Sequence, residues 1–294
     1  ERESELFRAA FGGYGGLGVI TEVELDLDSN VRMERVVEQV PLERYPQFFR
    51  DKILSNNDVI LHNADLTPPS FDAPRAISWV TSSKAPTVAE RLVPRGLDYD
   101  TVQNAIWAIT ELPGGGHLHQ SLVESRLREQ AVVWRNYEAS LDTASLEPRT
   151  RMFSTYLLQE YFIPVVNFLQ FATGMSRILK ARDIEALNVS IRHSPADNAS
   201  LLKWAPTEVF SFVLYYKQRM SDRASKEVAV WTRELIDLAL VNGGRYYLPY
   251  RLDATREQFD AAYPEAGAFP SLKARVDPRP RFANLLWEKY LPRT

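Results

Sequence analysis

Apolar and polar residues change their spacing repeatedly along this chain, and each change marks an element. Leu6, Phe7, Ala9 and Ala10 fall at helical spacing. Gly12, Gly13, Gly15, Gly16 and Gly18 follow, and then Val19, Thr21, Val23 and Leu25 alternate onto one face. The pattern predicts helix, glycine turn, strand. Alternation resumes over 31–40, which predicts a second strand. Leu42–Leu54 then predicts a helix with Phe48, Phe49, Ile53 and Leu54 as its apolar stripe and Pro46 in the first turn. Asp58–Asp65 and Ala76–Ser82 predict two antiparallel strands joined by a loop rich in proline.

Tyr99–Leu112 has a helical pattern, Gly114–Gly116 reads as a hinge or a loop tip, and Ser121–Gln130 predicts a helix with an arginine-rich solvent face. Gln159–Pro164 is a strand that breaks at its proline. A helix over Val165–Lys180 follows, with Phe168, Phe171 and Ile178 turned inward. On the strand Asn188–His193, alternation puts Asn188, Ser190 and Arg192 on one face and Val189, Ile191 and His193 on the other. Such a strand lines a polar pocket or forms a sheet edge with one wet face. Glu208–Gln218 is the most apolar strand and is expected at the centre of an antiparallel sheet. Ser225–Val241 predicts a helix capped by Ser225 and closed by Asn242, Gly243 and Gly244.

The bulk numbers remove several function classes. The 294 residues are 45% hydrophobic and 25% charged, ordinary for one large or two smaller globular domains. A net charge of -3 with the signs interspersed favours neither nucleic acid nor an anionic membrane surface. No apolar run approaches the roughly 18 residues of a membrane span. The expectation is a cytoplasmic protein, with peripheral membrane association left open. With no cysteine there is no disulfide, thiolate metal site or cysteine nucleophile. His117 and His119, the one close histidine pair, point apart on a helix and make a poor metal pair.

The glycine cluster lets the backbone adopt positive φ and lets a flat ligand, or another backbone, come close. It serves equally as a tight helix-to-strand reversal. It is not a P-loop, which needs a Lys-Ser/Thr ending, and it is not a dinucleotide fingerprint, which leaves a strand and opens a helix.

Leu6-Phe7-Arg8-Ala9-Ala10 followed by Gly15-Gly16-Leu17-Gly18-Val19-Ile20-Thr21-Glu22-Val23 resembles the last helix and strand of the FAD-binding domain in FAD-linked oxidases of the vanillyl-alcohol oxidase superfamily, in the branch of aldonolactone and alditol oxidases. Gln159–Pro164 with its following helix, Gly243–Tyr250, and a tail ending Phe282-Ala283-Asn284 are similar to further stretches of that family, in family order. The resemblance implies an α+β fold: an antiparallel sheet flanked by helices as a substrate cap, with a remnant of the FAD domain. It divides the chain into 1–30, the end of the FAD domain; 31–250, the cap; and 251–294, a tail returning to the FAD domain. The pyrophosphate-binding part of the FAD domain is expected in residues outside this sequence.

Residue by residue, the resemblance implies that Gly18, Val19 and Ile20 contact FAD through their backbone, with Asn284 near the isoalloxazine. Arg192 falls on an arginine that stabilises negative charge on the reduced flavin or orients substrate. Ser190 stands where relatives have the acid that binds substrate hydroxyls, a departure that leaves the sugar-lactone or polyol substrate open. Tyr250 stands at the end of a short strand where relatives carry a flavin-facing side chain. Tyr250 serves there as a hydrogen-bond donor, or as a base if its phenol falls far below the usual value of about 10. Asn188, Tyr137 and Glu138 are candidates for the substrate cleft, although Trp134 and Tyr137 also fit as core aromatics. The expected activity is oxidation of a small hydroxylated substrate by hydride transfer to flavin. The competing expectation is a non-catalytic binding module that keeps the cap fold without a working flavin.

Overall fold

The computed structural model describes residues 4–111, 129–141 and 150–291. In chain order the elements are helix α1 (Ser4–Gly12), strand β1 (Arg32–Gln39), a helical run beginning at Leu42 and containing α2 (Tyr45–Phe48), β2 (Val59–Leu66), β3 (Arg75–Thr81), α3 (Asp100–Glu111), β4 (Val132–Trp134), α4 (Arg135–Ala139), β5 (Ser154–Pro164), α5 (Phe168–Ala181), β6 (Ala186–Ser194), β7 (Val209–Arg219), α6 (Asp222–Val241), β8 (Arg245–Tyr246), α7 (Arg256–Ala262), α8 (Phe269–Val276) and α9 (Leu285–Tyr290). The class is α+β, an antiparallel eight-stranded sheet with flanking helices. No helix among the described residues is long and apolar enough to cross a membrane. Gly114–Gly116, the His117–His119 pair and all but the last two residues of the Ser121–Gln130 segment lie outside the described residues.

The chain forms two compact units. One comprises residues 27–156 and 216–221, the other 1–26, 157–215 and 222–294. In the first unit the strand order is β4-β1-β3-β2. Val37 lies opposite Ile77 in the β1–β3 ladder, and His62 opposite Ser78 in the β2–β3 ladder. That register puts the His62 ring between the Tyr45 hydroxyl at 3.1 Å and the Ser78 hydroxyl at 2.9 Å. Met33, Trp79 and Val133 make a small core, against which Tyr137 packs. Leu42–Leu54 is a continuous helical run that ends in a π-helical segment, Phe49–Leu54. Tyr45, Phe49 and Ile53, four residues apart, form its buried stripe, whereas Leu54 is 57% exposed and does not join it.

In the second unit the order is β6-β7-β5-β8. The pleat sends alternate residues to opposite faces. Phe210 and Phe212 of β7 meet Phe168 of α5 at ring distances of 5.1 and 5.3 Å, and Tyr161 of β5 meets Phe171 at 5.7 Å. Gln159 of β5 donates to the Thr232 hydroxyl of α6 at 2.6 Å. Both helices therefore cover one face, and the other face carries Glu160, Phe162 and Ser211. Helix α6 begins at Asp222, one turn before the expected Ser225 cap. Ser225 instead receives a hydrogen bond from Arg251 at 3.2 Å.

The strand expected over Val19–Leu25 is absent. Residues 18–31 take no regular structure, and the backbone groups from Leu17 to Asp28 make no hydrogen bond among the described residues. Val19 is 73% and Leu27 92% exposed. Alternation specifies the two faces of a strand, but a strand exists only through bonds to a neighbour, and nothing described lies alongside this one.

Candidate functional site

The face of the second unit turned away from α5 and α6 carries polar groups, Glu160 and Ser211, among buried apolar ones, Phe162, Val209 and Val213. Glu160 lies on it between Leu158 and Phe162 of β5. The Ser211 hydroxyl of β7 donates to Glu160 Oε1 at 2.5 Å. Val189 and Ile191 of β6 are fully buried, which leaves Ser190 and Arg192 on the side of Glu160. The guanidinium of Arg192 is exposed and makes no hydrogen bond or ion pair among the described residues. His193, of opposite parity, bonds Glu208 at 2.7 Å and meets the Phe210 ring edge-on.

The segment after β8 closes the site. Pairing of Tyr161 with Tyr246 and Phe162 with Arg245 ends β8, and the Tyr247 backbone N–H then donates to the Glu160 carbonyl at 2.9 Å. The Tyr247 ring lies edge-on to Phe162 at 6.0 Å and to Tyr250 at 4.9 Å. Trp204 adds a fourth ring, 4.8 Å from Phe162. Glu160, Tyr247, Tyr250 and Arg251 line a narrow cleft at this edge.

Burial pushes the Glu160 carboxyl above the usual carboxylate range, because a charge loses hydration there. The Ser211 hydrogen bond and the Arg192 charge pull it back without cancelling the rise. The Tyr250 phenol goes up as well, through burial first and then the neighbouring Glu160 and Tyr247, with Arg192 opposing. A phenol shifted in that direction keeps its proton. That direction is the one a hydrogen-bond donor needs, the first of the two roles expected for Tyr250. Glu160, a carboxyl raised by burial with the Arg192 charge nearby, is the candidate proton acceptor of this face.

Sequence patterning passed over Glu160, although it was visible as a lone acid inside the apolar run Leu157–Ile163 on the same face as Phe162. Asn188, Ser190, Arg192 and Tyr250 all lie in the unit that contains it. Tyr137 and Glu138 belong to the other unit, on α4. There burial raises the Glu138 carboxyl, with Arg35 opposing.

Gly18 has open space where a Cβ would stand, and Val19 and Ile20 are exposed. Other glycines of the cluster have structural reasons: a Cβ on Gly16 would fall 1.9 Å from the Trp287 ring, and one on Gly12 3.0 Å from Leu202 Cβ. Both ends of the Asn284 amide are engaged. Its oxygen accepts from the Trp287 N–H at 3.0 Å, capping α9, and its nitrogen donates to the Tyr14 carbonyl at 2.8 Å.

A larger cavity of about 530 Å³ lies between α8 and α9, with Lys273, Asp277, Phe282 and Trp287 in its wall. Its polar groups are already committed. Lys273 donates to Asp277 at 2.6 Å, to the Phe282 carbonyl at 2.5 Å and to the Gly16 carbonyl. Lys273, then the Phe282 and Arg281 N–H groups, hold the Asp277 carboxyl at about 2. The Lys273–Asp277 arrangement anchors the glycine loop. Among the described residues no group of three His, Asp or Glu side chains has metal-binding geometry.

No protein-family model and no curated protein sequence matches the chain. The functional reading therefore rests on the geometry of this face and on the resemblance of its segments.

Proposed function

We propose that this chain is the substrate-binding part of an FAD-dependent oxidoreductase that oxidises a small hydroxylated molecule of the sugar, polyol or lactone type. The observation that carries the reading is the placing of Glu160 and Arg192 on one sheet face: a carboxyl raised by burial near an exposed cation that makes no hydrogen bond or ion pair among the described residues. Oxidising a C–H bond next to a hydroxyl needs an acceptor for the hydroxyl proton and a charge to stabilise the alkoxide-like transition state.

Glu160 Oε2 accepts the hydroxyl proton, while Ser211 holds Oε1 and fixes the orientation of the carboxylate. Arg192 attracts the developing negative charge. Tyr250 and Tyr247 donate to substrate oxygens, and the rings of Trp204 and Tyr247 cover its C–H surfaces. Ser190, beside Arg192, contacts a hydroxyl where an acid would bind it more tightly, and Asn188 extends the same polar row.

The residues present fit a flavin in part. Gly18, Val19 and Ile20 offer an unpaired backbone with no Cβ obstruction at Gly18, so they remain the contacts for the ring system. Asn284 fits less well, because its amide already holds Tyr14 and caps α9. When bound, FAD would supply the hydride acceptor. The unpaired, apolar stretch Val19–Leu27 supports the same reading, since it is suited to pairing with a strand of a flavin-binding portion outside these residues.

The test is the absorbance spectrum of the full-length protein and its anaerobic bleaching by a panel of polyols and sugar lactones. The expected result is a flavin spectrum bleached by at least one of them. A colourless protein removes the oxidoreductase reading and leaves a binding module. A Glu160→Gln variant that bleaches as fast as wild type removes only the role given to Glu160.

A further inference from the structure

Tyr14 sits at φ +48° in the glycine loop, in the left-handed region where a bulky L residue is rare and strained. The loop is clamped on both sides of it. Trp287 Nε1 donates to the Gly13 carbonyl at 2.8 Å, Asn284 donates to the Tyr14 carbonyl at 2.8 Å, and the Trp287 ring fills the space beside Gly16. A glycine would take this conformation without strain.

The end of α1 backs onto residues 201–202: Leu201 N–H donates to the Arg8 carbonyl at 2.8 Å, and Gly12 lies against Leu202. Trp204 and Ala205, next in that segment, pack on Phe162, as Tyr247 does. The loop is thereby carried to the aromatic end of the polar face. The Tyr14 side chain is half-buried, and its hydroxyl makes no hydrogen bond among the described residues. Burial, then the charges of Tyr247, Asp197 and Glu160, push the phenol up, so it stays a donor at neutral pH. Tyr247 and Tyr250 likewise have hydroxyls without a partner among the described residues.

We propose that Tyr14 is a ligand-contacting residue of this face, its hydroxyl donating, together with those of Tyr247 and Tyr250, to a polyhydroxylated ligand held against Glu160. This rests on the site assignment above and extends it to a residue of the glycine loop. Three phenol donors, one carboxyl acceptor and the half-buried ring of Trp204 match a molecule whose edge is hydroxyls and whose faces are C–H.

The experiment titrates full-length wild type, Tyr14→Phe and Tyr14→His with D-glucitol and with D-glucose, read by tryptophan fluorescence, with a melting curve for each protein. Tyr14→Phe keeps the ring and the fold but lacks the donor, and its Kd is expected to rise about tenfold. Tyr14→His tolerates positive φ and retains an N–H, so it recovers part of that loss. Equal Kd values for wild type and Tyr14→Phe overturn the role of Tyr14 while leaving the site assignment in place. A wild type with no saturable response to either compound overturns both.

Discussion

Ser211 Oγ donates to Glu160 Oε1 at 2.5 Å, joining β7 to β5 on the face opposite α5 and α6. The bond favours the ionised carboxylate, and burial opposes it. Ser211→Ala removes the stabilising partner. The folded-state pKa of Glu160 then rises further, and the acid limb of the kcat/KM profile moves to higher pH. A limb that stays in place or moves down contradicts the assignment of Glu160 as the base.

Glu160→Gln is expected to lower turnover by about 10²–10⁴, the usual worth of a positioned general base. Its effect on stability has the opposite sign. A carboxyl whose folded pKa is raised stabilises the fold only where it is protonated, below its unfolded value, and that contribution is lost as pH rises through the folded value. The variant therefore melts higher than wild type at pH 8 and close to it at pH 4. Paired melting curves at the two pH values check this.

Arg192 is exposed and makes no hydrogen bond or ion pair among the described residues, so Arg192→Ala is expected to leave stability within about 0.5 kcal/mol of wild type. Loss of a charge aimed at the transition state costs about 10²–10³ in turnover. Denaturant melts and steady-state kinetics on the same preparation separate the two effects. A large loss of stability without a kinetic defect contradicts the assignment.

Lys273 and Asp277 supply the principal acid-sensitive anchor of the glycine loop. The Asp277 carboxyl lies at about 2, below the unfolded value of about 4. A lowered pKa means stability that is complete above the unfolded value and lost as pH falls from about 4 toward 2. Wild type loses stability across that window. Lys273→Met is less stable at pH 7 and shows a flatter dependence there, as circular-dichroism melts at pH 2, 3, 4 and 7 can show.

Gly16 and Gly18 separate packing from ligand approach. Gly16→Ala drives a methyl into the Trp287 ring, and a cost of about 1–3 kcal/mol or more is expected. Gly18→Ala meets nothing within 4 Å and leaves stability nearly unchanged. It is expected to weaken flavin retention in the full-length protein, measured by the flavin-to-protein absorbance ratio after dialysis. Equal retention by wild type and Gly18→Ala removes Gly18 from the cofactor contacts.

The positions of most elements were legible because apolar periodicity is a local property. β1, β3, α3, α5, β6 and β7 lie where the spacing of Val, Ile, Leu and Phe puts them. Val189 and Ile191 are buried, and Ser190 and Arg192 are turned the other way. Leu54 and the start of α6 departed from expectation because the π-helical segment and the first turn of α6 depend on bonds that periodicity does not record.

By itself the sequence determined where most strands and helices lie, and that Arg192, Ser190 and Asn188 share a side. Only the tertiary structure decided what stands next to them. Glu160 and Ser211 are 51 residues apart and meet only because β7 pairs beside β5. The Val19–Leu25 segment carries a strand's alternation yet forms none, because ladder bonds need a neighbouring chain. Periodicity is written into one segment, whereas pairing, burial and the resulting shifts in proton affinity belong to residues that long-range folding brings together.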